Sequence, residues 1–363
     1  MELALDLPIY AYSSARSLAY GLEFLLLDSI SYLMPGRREL QKSAPKRDWE
    51  QFKAVRRDLQ ALLRRDSICI RDGVYPARVL FPESPALHLR RMPTLILDAY
   101  SIVSRRVKGR TTEFDREASA LLDELPRYYR RNFHFQTGGY LSRRSAQVYE
   151  HQVELLFAGA ADAMRRLILE PLRNHFADHP EGEGLRFLEI GAGTGRATRF
   201  VRLAFPKAKI VAVDLSDPYL KEAQRKLASF SRIDFVQADG AALPFQPERF
   251  DAVYSVFLFH ELPHAVRRDV LQEARRMVKP GGFVGFVDSV QTGDKSLFDP
   301  LLDEFPKQFH EPYYRDYIAH PMEAMMKDQA GLARVKTSTG FSAKVCWGVR
   351  KKRKPKPGRS ILG

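Results

Sequence analysis

The chain is expected to fold as an α/β protein: an open, mostly parallel, Rossmann-like sheet with an antiparallel last strand, preceded by a mainly helical N-terminal region. Three observations predict this. From Leu185 onward, short apolar runs alternate with helical patterns, the rhythm of parallel strands joined by crossover helices. The first run opens into a glycine turn, Gly191-Ala192-Gly193-Thr194-Gly195, where glycines permit a tight backbone and close approach of a ligand. Acids mark the first three runs: Glu189 inside the first, Asp214 ending the second and Asp239 after the third.

Taken in order, residues 1–125 read as a mainly helical accessory region with a small hairpin. Residues 1–47 suggest one or two helices and a turn at Pro35-Gly36. The apolar stretch from Tyr20 to Met34 contains Glu23 and Asp28, so it is too short and too charged to span a bilayer. It is read as a packing helix in preference to an amphipathic helix on a membrane surface. Asp48 and Gln51 have capping-box spacing, and Trp49, Phe52, Val55, Leu59 and Leu62 follow at helical spacing. Ser67 to Leu80, turning at Asp72-Gly73, reads as a hairpin. Pro93 suits the first turn of a helix running to about Arg106, and a short helix is expected near Asp115 to Leu125.

Residues 126–183 read as a helical cap or linker. Its first part is dense in Tyr128, Tyr129, Phe133, His134, Phe135 and Tyr140, and a long helix is expected from Ser142 to about Asp178. Within 184–350, strands are expected at Arg186–Ile190, Ile210–Val213, Ile233–Gln237, Phe250–Val256 and Phe283–Val287. A final antiparallel pair is expected at Leu332–Thr337 and Ala343–Val349. Ligands on such sheets bind beyond the carboxyl ends of the strands, near the switch point. Residues 351–363 read as a basic, disordered tail.

At 363 residues the chain exceeds what one core usually needs, and its 45% hydrophobic and 28% charged residues are ordinary for a globular protein. Cys69 and Cys346 are its two cysteines, which argues against a disulfide scaffold or a cysteine zinc site. The opening Met1-Glu2-Leu3-Ala4-Leu5-Asp6 lacks the basic start of a secretory signal, so a cytoplasmic location is expected. The net charge of +14 and the run Lys351-Lys352-Arg353-Lys354-Pro355-Lys356 suit contact with an anionic membrane surface or RNA. A merely solvated basic surface explains them equally well.

The glycine turn is G-x-G-x-G rather than the G-x-G-x-x-G of dinucleotide binding, and suits a ligand without a pyrophosphate. Asp214 lies about 20 residues past the turn, where a carboxylate can accept from both hydroxyls of a ribose. Asp239 is placed to accept from an adenine amine.

These segments resemble the class I S-adenosylmethionine-dependent methyltransferases, closest to the methyltransferase type 11 group of ubiquinone and menaquinone C-methyltransferases. Phe250-Asp251-Ala252-Val253-Tyr254-Ser255 resembles the family's fourth-strand motif, and Glu273 to Gly282 its helix and Lys-Pro-Gly-Gly turn. The resemblance covers about 185–290 and leaves out 1–125. It implies S-adenosylmethionine as cofactor, contacted by Glu189, Gly191, Gly193, Asp214, Asp239 and Gly240, with Ala192, Gly195 and Leu215 beside them. It implies in-line displacement of the sulfonium methyl onto a nucleophile. No Asn-Pro-Pro-Tyr or Asp-Pro-Pro-Tyr follows the fourth strand, which weighs against nucleobase amines.

His260-Glu261-Leu262-Pro263-His264 matches H-E-x-x-H in form. A zinc helix is not expected, because the segment directly follows a strand and Pro263 would interrupt the helix or start a new one; no metal is expected. In this fold the loop after strand four faces the transferable methyl, so His260, Glu261 and His264 are candidates for substrate contact or general base. Capping of the next helix explains them equally well. The long segment Asp288 to His320 is a candidate substrate lid, with His310, Tyr313 and Tyr314 as substrate contacts. From the upstream cap, Tyr140 or Arg143 is the candidate to reach the cofactor carboxylate, and Tyr140 is also a candidate substrate contact. The expected partner is a small lipophilic or aromatic acceptor methylated at O or C. The alternatives are RNA or protein methylation, or a non-catalytic cofactor-binding regulator.

Overall fold

A computed structural model describes residues 6–32, 49–114 and 116–352. The turn at Pro35-Gly36, Asp48 of the capping box and the tail from residue 353 lie outside the described residues.

Seven strands form one sheet in the order β3-β2-β1-β4-β5-β7-β6: β1 Arg186–Ile190, β2 Lys209–Asp214, β3 Ile233–Gln237, β4 Phe250–Val256, β5 Val278–Ser289, β6 Ala333–Gly340 and β7 Ala343–Val349. The first five pair in parallel. β7 runs antiparallel to both β5 and β6. The chain reverses its direction of travel across the sheet between β1 and β4, which puts the switch point there.

Alternation sorts the strand side chains onto two faces. Phe187, Ile210, Ala252, Tyr254, Phe283 and Val287 share one core. Leu188, Ile190, Val211, Val213, Val253, Val284 and Phe286 share the other. The helices ahead of the sheet are α1 Asp6–Tyr32, α2 Trp49–Arg71, α3 Pro85–Lys108, α4 Arg116–Ser119, α5 Arg143–Leu156, α6 Ala161–Arg165 and α7 Leu169–His175. Those that follow β1 to β5 are α8 Arg196–Ala204, α9 Asp217–Lys226, α10 His264–Met277, α11 Asp299–Gln308, α12 Tyr314–Ala319 and α13 Met322–Asp328. The first core takes in Leu62, Leu63, Cys69 and Ile70 of α2 and Leu169 and Leu172 of α7, so helices from ahead of the sheet help to close it. The second is closed by α10, α12 and α13.

Three local expectations are corrected. There is no hairpin at 67–80. α2 continues to Arg71, Gly73 turns at φ 70°, and Ala77–Leu80 is a short 3₁₀ helix. Ile68 and Ile70 mimic strand alternation, but the helical set Leu62, Leu63, Asp66, Cys69 and Ile70 is what the sheet buries, and tertiary packing prevails over local pattern. Pro93 lies inside α3, which starts earlier at Pro85 behind the Ser84 cap. The long helix begins as expected, with Ser142 Oγ accepting from Ser145 N at 3.0 Å, but it ends at Leu156. Ala158 and Gly159 follow in left-handed conformation, φ 47° and 75°, which breaks the helical ladder.

α1 docks on that break: Ser17 Oγ donates to Ala158 O and Arg16 to Gly159 O, both at 2.7 Å. Its charged residues Asp6, Arg16 and Glu23 turn inward to Arg64, Glu154 and a pair of histidines, His88 and His151. Leu7, Leu18, Leu22, Leu25 and Leu26 turn outward and are more than half exposed.

Candidate active site

The site grows from the carboxyl ends of β1, β2 and β4. Gly191 and Ala192 amides donate to Val213 O at 2.8 and 2.9 Å, tying the glycine turn to β2. Gly191, Gly193 and Gly195 all hold positive φ, which side chains with a Cβ adopt only under strain. Gly193 N–H donates to one oxygen of Asp214 at 2.7 Å, and Ser216 N–H to the other at 2.8 Å. Burial pushes the Asp214 carboxyl up to about 6, against these backbone donors. Asp239 accepts from Ala241 N at 2.9 Å. Glu189 sits deeper: Thr198 and Tyr254 donate to it at 2.6 and 2.9 Å, and burial pushes it up to about 8.

Between these groups lies a cavity of about 990 Å³, part of it open to solvent. Glu189, Gly191, Ala192, Gly193, Asp214, Leu215, Asp239 and Gly240 all line it. Gly195 does not; it caps α8 at φ 79°, where a Cβ would meet Leu227 at 2.8 Å. The opposite wall is aromatic. Tyr128, Tyr129, Phe133, Tyr140 and Tyr149 from the cap, with Tyr219 of α9, form a cluster in which Phe133 and Tyr140 stack at 5.4 Å. Ser145 Oγ and the Tyr219 hydroxyl are 2.7 Å apart.

The cavity's inner wall is polar. Tyr140 donates its phenol to Glu261. Behind Glu261, His260 Nδ1 meets Asp288 at 2.6 Å, and its Nε2 faces Glu261 at 3.7 Å. His134 Nε2 is 3.7 Å from Glu261 and 2.9 Å from Glu311. Burial opposes charge on both imidazoles, but the carboxylates outweigh it. Glu311 and Glu261 raise His134 to about 10, and Asp288 above all raises His260 to about 9.

The chain resembles known proteins. A family profile described as "Methyltransferase domain" matches residues 187–282. A ubiquinone/menaquinone biosynthesis C-methyltransferase UbiE of Pseudomonas syringae pv. tomato is 33% identical over 224 residues, covering 56% of this chain and 86% of that protein. The chain belongs to the class I S-adenosylmethionine-dependent methyltransferases. Its place is in the type 11-like group, and its cofactor is S-adenosylmethionine. A phthiotriol/phenolphthiotriol dimycocerosates methyltransferase of Mycobacterium ulcerans is 34% identical over 125 residues, 33% of this methyltransferase and less than half, 45%, of that relative. The crystal structure of the CurJ carbon methyltransferase covers 93% of this chain and 94% of its own at a TM-score of 0.46 and 17% identity.

The remaining expected site residues divide. Tyr140 and Glu261 meet in the methyltransferase's cavity wall, and His260 stands directly behind. His264 does not join them: it opens α10, lies 3.5 Å from Asp316 and packs its ring on His320 at 4.5 Å. Pro263 is the reason, since it ends the turn that carries His260 and starts a helix in another direction. His310, Tyr313 and Tyr314 do not line the cavity either. His310 packs on Phe135, Tyr313 lies under the Arg131 guanidinium, and the Tyr314 hydroxyl meets Ser289 Oγ at 2.7 Å. The lid segment thus supports the wall from outside, and its contribution to the inner cluster is Glu311. Sequence reasoning named neither Glu311 nor His134 as site residues. The only signal was their membership in two polar-aromatic stretches.

A second buried network steadies the glycine turn. Thr194 donates its hydroxyl to Glu150 of α5. Arg165 and Arg196 face Glu150 at 3.0 and 3.4 Å, and Arg196 also reaches Asp162 at 3.6 Å. Arg16 of α1 reaches Glu154 at 3.2 Å and Asp162 at 3.6 Å.

Proposed function

We propose that this methyltransferase moves the methyl group of S-adenosylmethionine to an oxygen or carbon of a small lipophilic or aromatic acceptor. The observation that carries the reading is the cavity's lining: a cluster of aromatic rings from the cap together with Glu261, which accepts from the hydroxyl of one of them, Tyr140. Apolar walls with a few convergent polar groups suit an apolar acceptor carrying one reactive polar atom. The names of the relatives, for quinone biosynthesis and for phthiotriol dimycocerosates, support the same class of acceptor.

In this reading the Asp214 carboxylate accepts from the ribose hydroxyls. Asp239 with Leu215 flanks the adenine, and Gly191, Ala192 and Gly193 of the glycine turn, without bulky side chains, let the rest of the cofactor approach the main chain. The cofactor supplies an electrophilic methyl on sulfur. The chain's residues orient the acceptor, exclude water and take its proton. Glu261 is the acceptor of that proton, with Tyr140 donating to it and His260, braced by Asp288, behind it. Glu261 would hold the proton that the acceptor gives up, and the bound cofactor would supply the methyl group in return.

The reading extends to a peripheral place on an anionic membrane, with residues ahead of 184 as cap and docking region and 184–350 as the catalytic unit. The outward face of α1 is apolar, and beside it Trp49 and Phe52 of α2 stack at 5.4 Å with Lys53, Arg56 and Arg57 exposed around them. Apolar residues rimmed by basic ones are the signature of an interfacial surface. Among the described residues no helix is long and apolar enough to cross a membrane.

The test is calorimetric titration with S-adenosylmethionine and S-adenosylhomocysteine, then labelled methyl transfer to quinol, phenol and lipid acceptors. Label in an extractable small product supports the reading. Label only in RNA or protein, or cofactor binding without any turnover, sinks it. Sedimentation with phosphatidylglycerol against phosphatidylcholine vesicles tests the membrane surface.

A further inference from the structure

We propose that His134, His260, Glu261 and Glu311 form a binding site for one first-row divalent transition-metal ion at the inner wall of the cavity. These residues come from three separate stretches of chain: the cap, the turn after β4 and the segment between α11 and α12. One ligand atom from each lies within 4.8 Å of all the others. Residues so distant in sequence are brought together by tertiary packing, not by the accident of one helix face.

Two independent observations point to an ion rather than to a closed ion-pair cluster. The first is Glu311. It is only 3% exposed; one carboxylate oxygen faces His134 Nε2 at 2.9 Å, and the other, Oε2, is buried with no partner. Buried carboxylate oxygens are normally satisfied, and one left without a donor calls for a ligand. The second is His260. Asp288 holds Nδ1 at 2.6 Å, which fixes the ring and turns Nε2 toward the cluster. A histidine braced through one nitrogen by a carboxylate and offering the other is the arrangement that orients metal-ligating imidazoles. His134 adds a backbone argument. It holds φ 52°, followed by Phe135 at 56°, and strained backbone persists where surrounding structure enforces it, commonly at ligand sites.

The donor set selects the class of ion. Two imidazole nitrogens and two carboxylates suit zinc, manganese, iron(II) or cobalt(II), whereas calcium and magnesium favour oxygen alone. With both imidazoles neutral, the two carboxylates balance a doubly charged cation. The H-E-x-x-H string therefore supplies two of the four ligands, His260 and Glu261. Its second histidine is replaced by His134 from the cap. Any service of the ion to an acceptor at Glu261 rests on the function proposed above; its binding does not.

The experiment uses the full chain, stripped with chelator, and adds zinc, manganese or cobalt(II) while recording calorimetry, metal content and the visible bands of cobalt. The expected result is one equivalent bound, with cobalt bands of a mixed nitrogen and oxygen site. Glu311→Gln and His134→Asn should each weaken binding at least about 10-fold, and Asp288→Asn, acting through His260, by about 10- to 100-fold. His264→Asn should leave it unchanged. Calorimetry with S-adenosylmethionine on the same variants reports the fold and the cofactor site separately, so loss of metal with retained cofactor binding is not unfolding. Should Glu311→Gln fail to fold, His134→Asn and the wild-type cobalt spectrum decide. Absence of stoichiometric metal in the wild type overturns the proposal. So does binding that survives Glu311→Gln and His134→Asn, or binding that His264→Asn abolishes.

Discussion

The sheet and the helices ahead of it place charge in opposite ways. Around β1, β4 and β5 most of the interior is hydrocarbon, with Leu188, Val253, Val284 and Phe286 at most 2% exposed, and buried ionisable groups such as Glu189, Asp288 and Arg267 of α10 stand apart from one another in the sequence. Between α1, α5, α6 and the glycine turn, the interior is instead a lattice of Arg16, Glu150, Glu154, Asp162, Arg165 and Arg196. The outer surface of α1 carries leucines. Among the described residues, every large hydrophobic side chain that is exposed lies between Leu7 and Val107. The sheet half is a core closed against water. The helical half spends its polar residues on binding itself to the sheet and presents its apolar ones outward.

The largest effect should come from breaking a buried pair on the charged side of this comparison. Asp66 accepts from the Arg166 guanidinium at 2.8 and 2.7 Å and from Tyr75 at 2.7 Å, all buried. Asp66→Ala strands a guanidinium and should cost about 3–5 kcal/mol in urea unfolding, comparable to about 2–5 kcal/mol for Leu188→Ala in the hydrocarbon core. A cost below ~1 kcal/mol would mean that the pairing is ornamental.

Next comes the cofactor end of the sheet. Asp214→Ala removes the carboxylate proposed to accept two charge-assisted bonds from ribose, each worth about 1.5–3 kcal/mol, so S-adenosylmethionine binding should weaken at least about 100-fold. Unchanged calorimetry would remove Asp214 from the ribose. With its carboxyl raised to about 6, wild-type affinity should also fall as pH drops through that value.

Glu189 sharpens the contrast, being a buried acid in the sheet half with hydroxyl partners and no cation. Its folded value of about 8 stands above the ordinary 4.5. Its contribution to stability is therefore full below pH 4.5 and lost as pH rises through 8. The slope is at most about 1.4 kcal/mol per pH unit. Glu189→Gln should flatten the fall of the melting temperature between pH 5 and pH 8 (about the window set by these values). A fall of the same steepness in the variant would show that Glu189 is already ionised. The smallest stability effect belongs to the outer face of α1. Leu22→Ser and Leu25→Ser should change stability by no more than about 0.5 kcal/mol while reducing sedimentation with anionic vesicles. Unimpaired sedimentation would clear α1 of lipid contact.

Much of the sheet was legible because one period governs it. Arg186–Ile190, Ile233–Gln237 and Phe250–Val256 are bounded by turns and read directly from alternation and apolar runs, and the glycine turn marks the ligand end. The errors fell where two periods fit the same residues, as at Ile68 and Ile70, or where a proline pointed to a start that a better cap had already supplied, as with Pro93 and Ser84. At the site, the acids that line the cavity from the end of β2, from just after β3 and from the turn after β4 were legible: Asp214, Asp239 and Glu261. His134 and Glu311 were not, because nothing local ties residue 134 to residue 311; only the folded cap and lid bring them within 2.9 Å. His264 misled for the converse reason, being near His260 in sequence but turned aside by Pro263.

The bond between Thr194 and Glu150 sets a limit on how this protein can be cut and recombined. The glycine turn leans on Glu150, Glu150 on Arg165 and Arg196, those on Asp162, and Asp162 on Arg16 near the far end of the chain. A fragment started at residue 184 would carry Thr194 and Arg196 into the open with no acids facing them. A chimera that borrowed another protein's cap to change acceptor would inherit the same vacancy. To be transplanted with its cofactor loop intact, the sheet must bring along Arg16, Glu150, Glu154 and Asp162, scattered over more than a hundred residues that a search for the catalytic motif alone would leave behind.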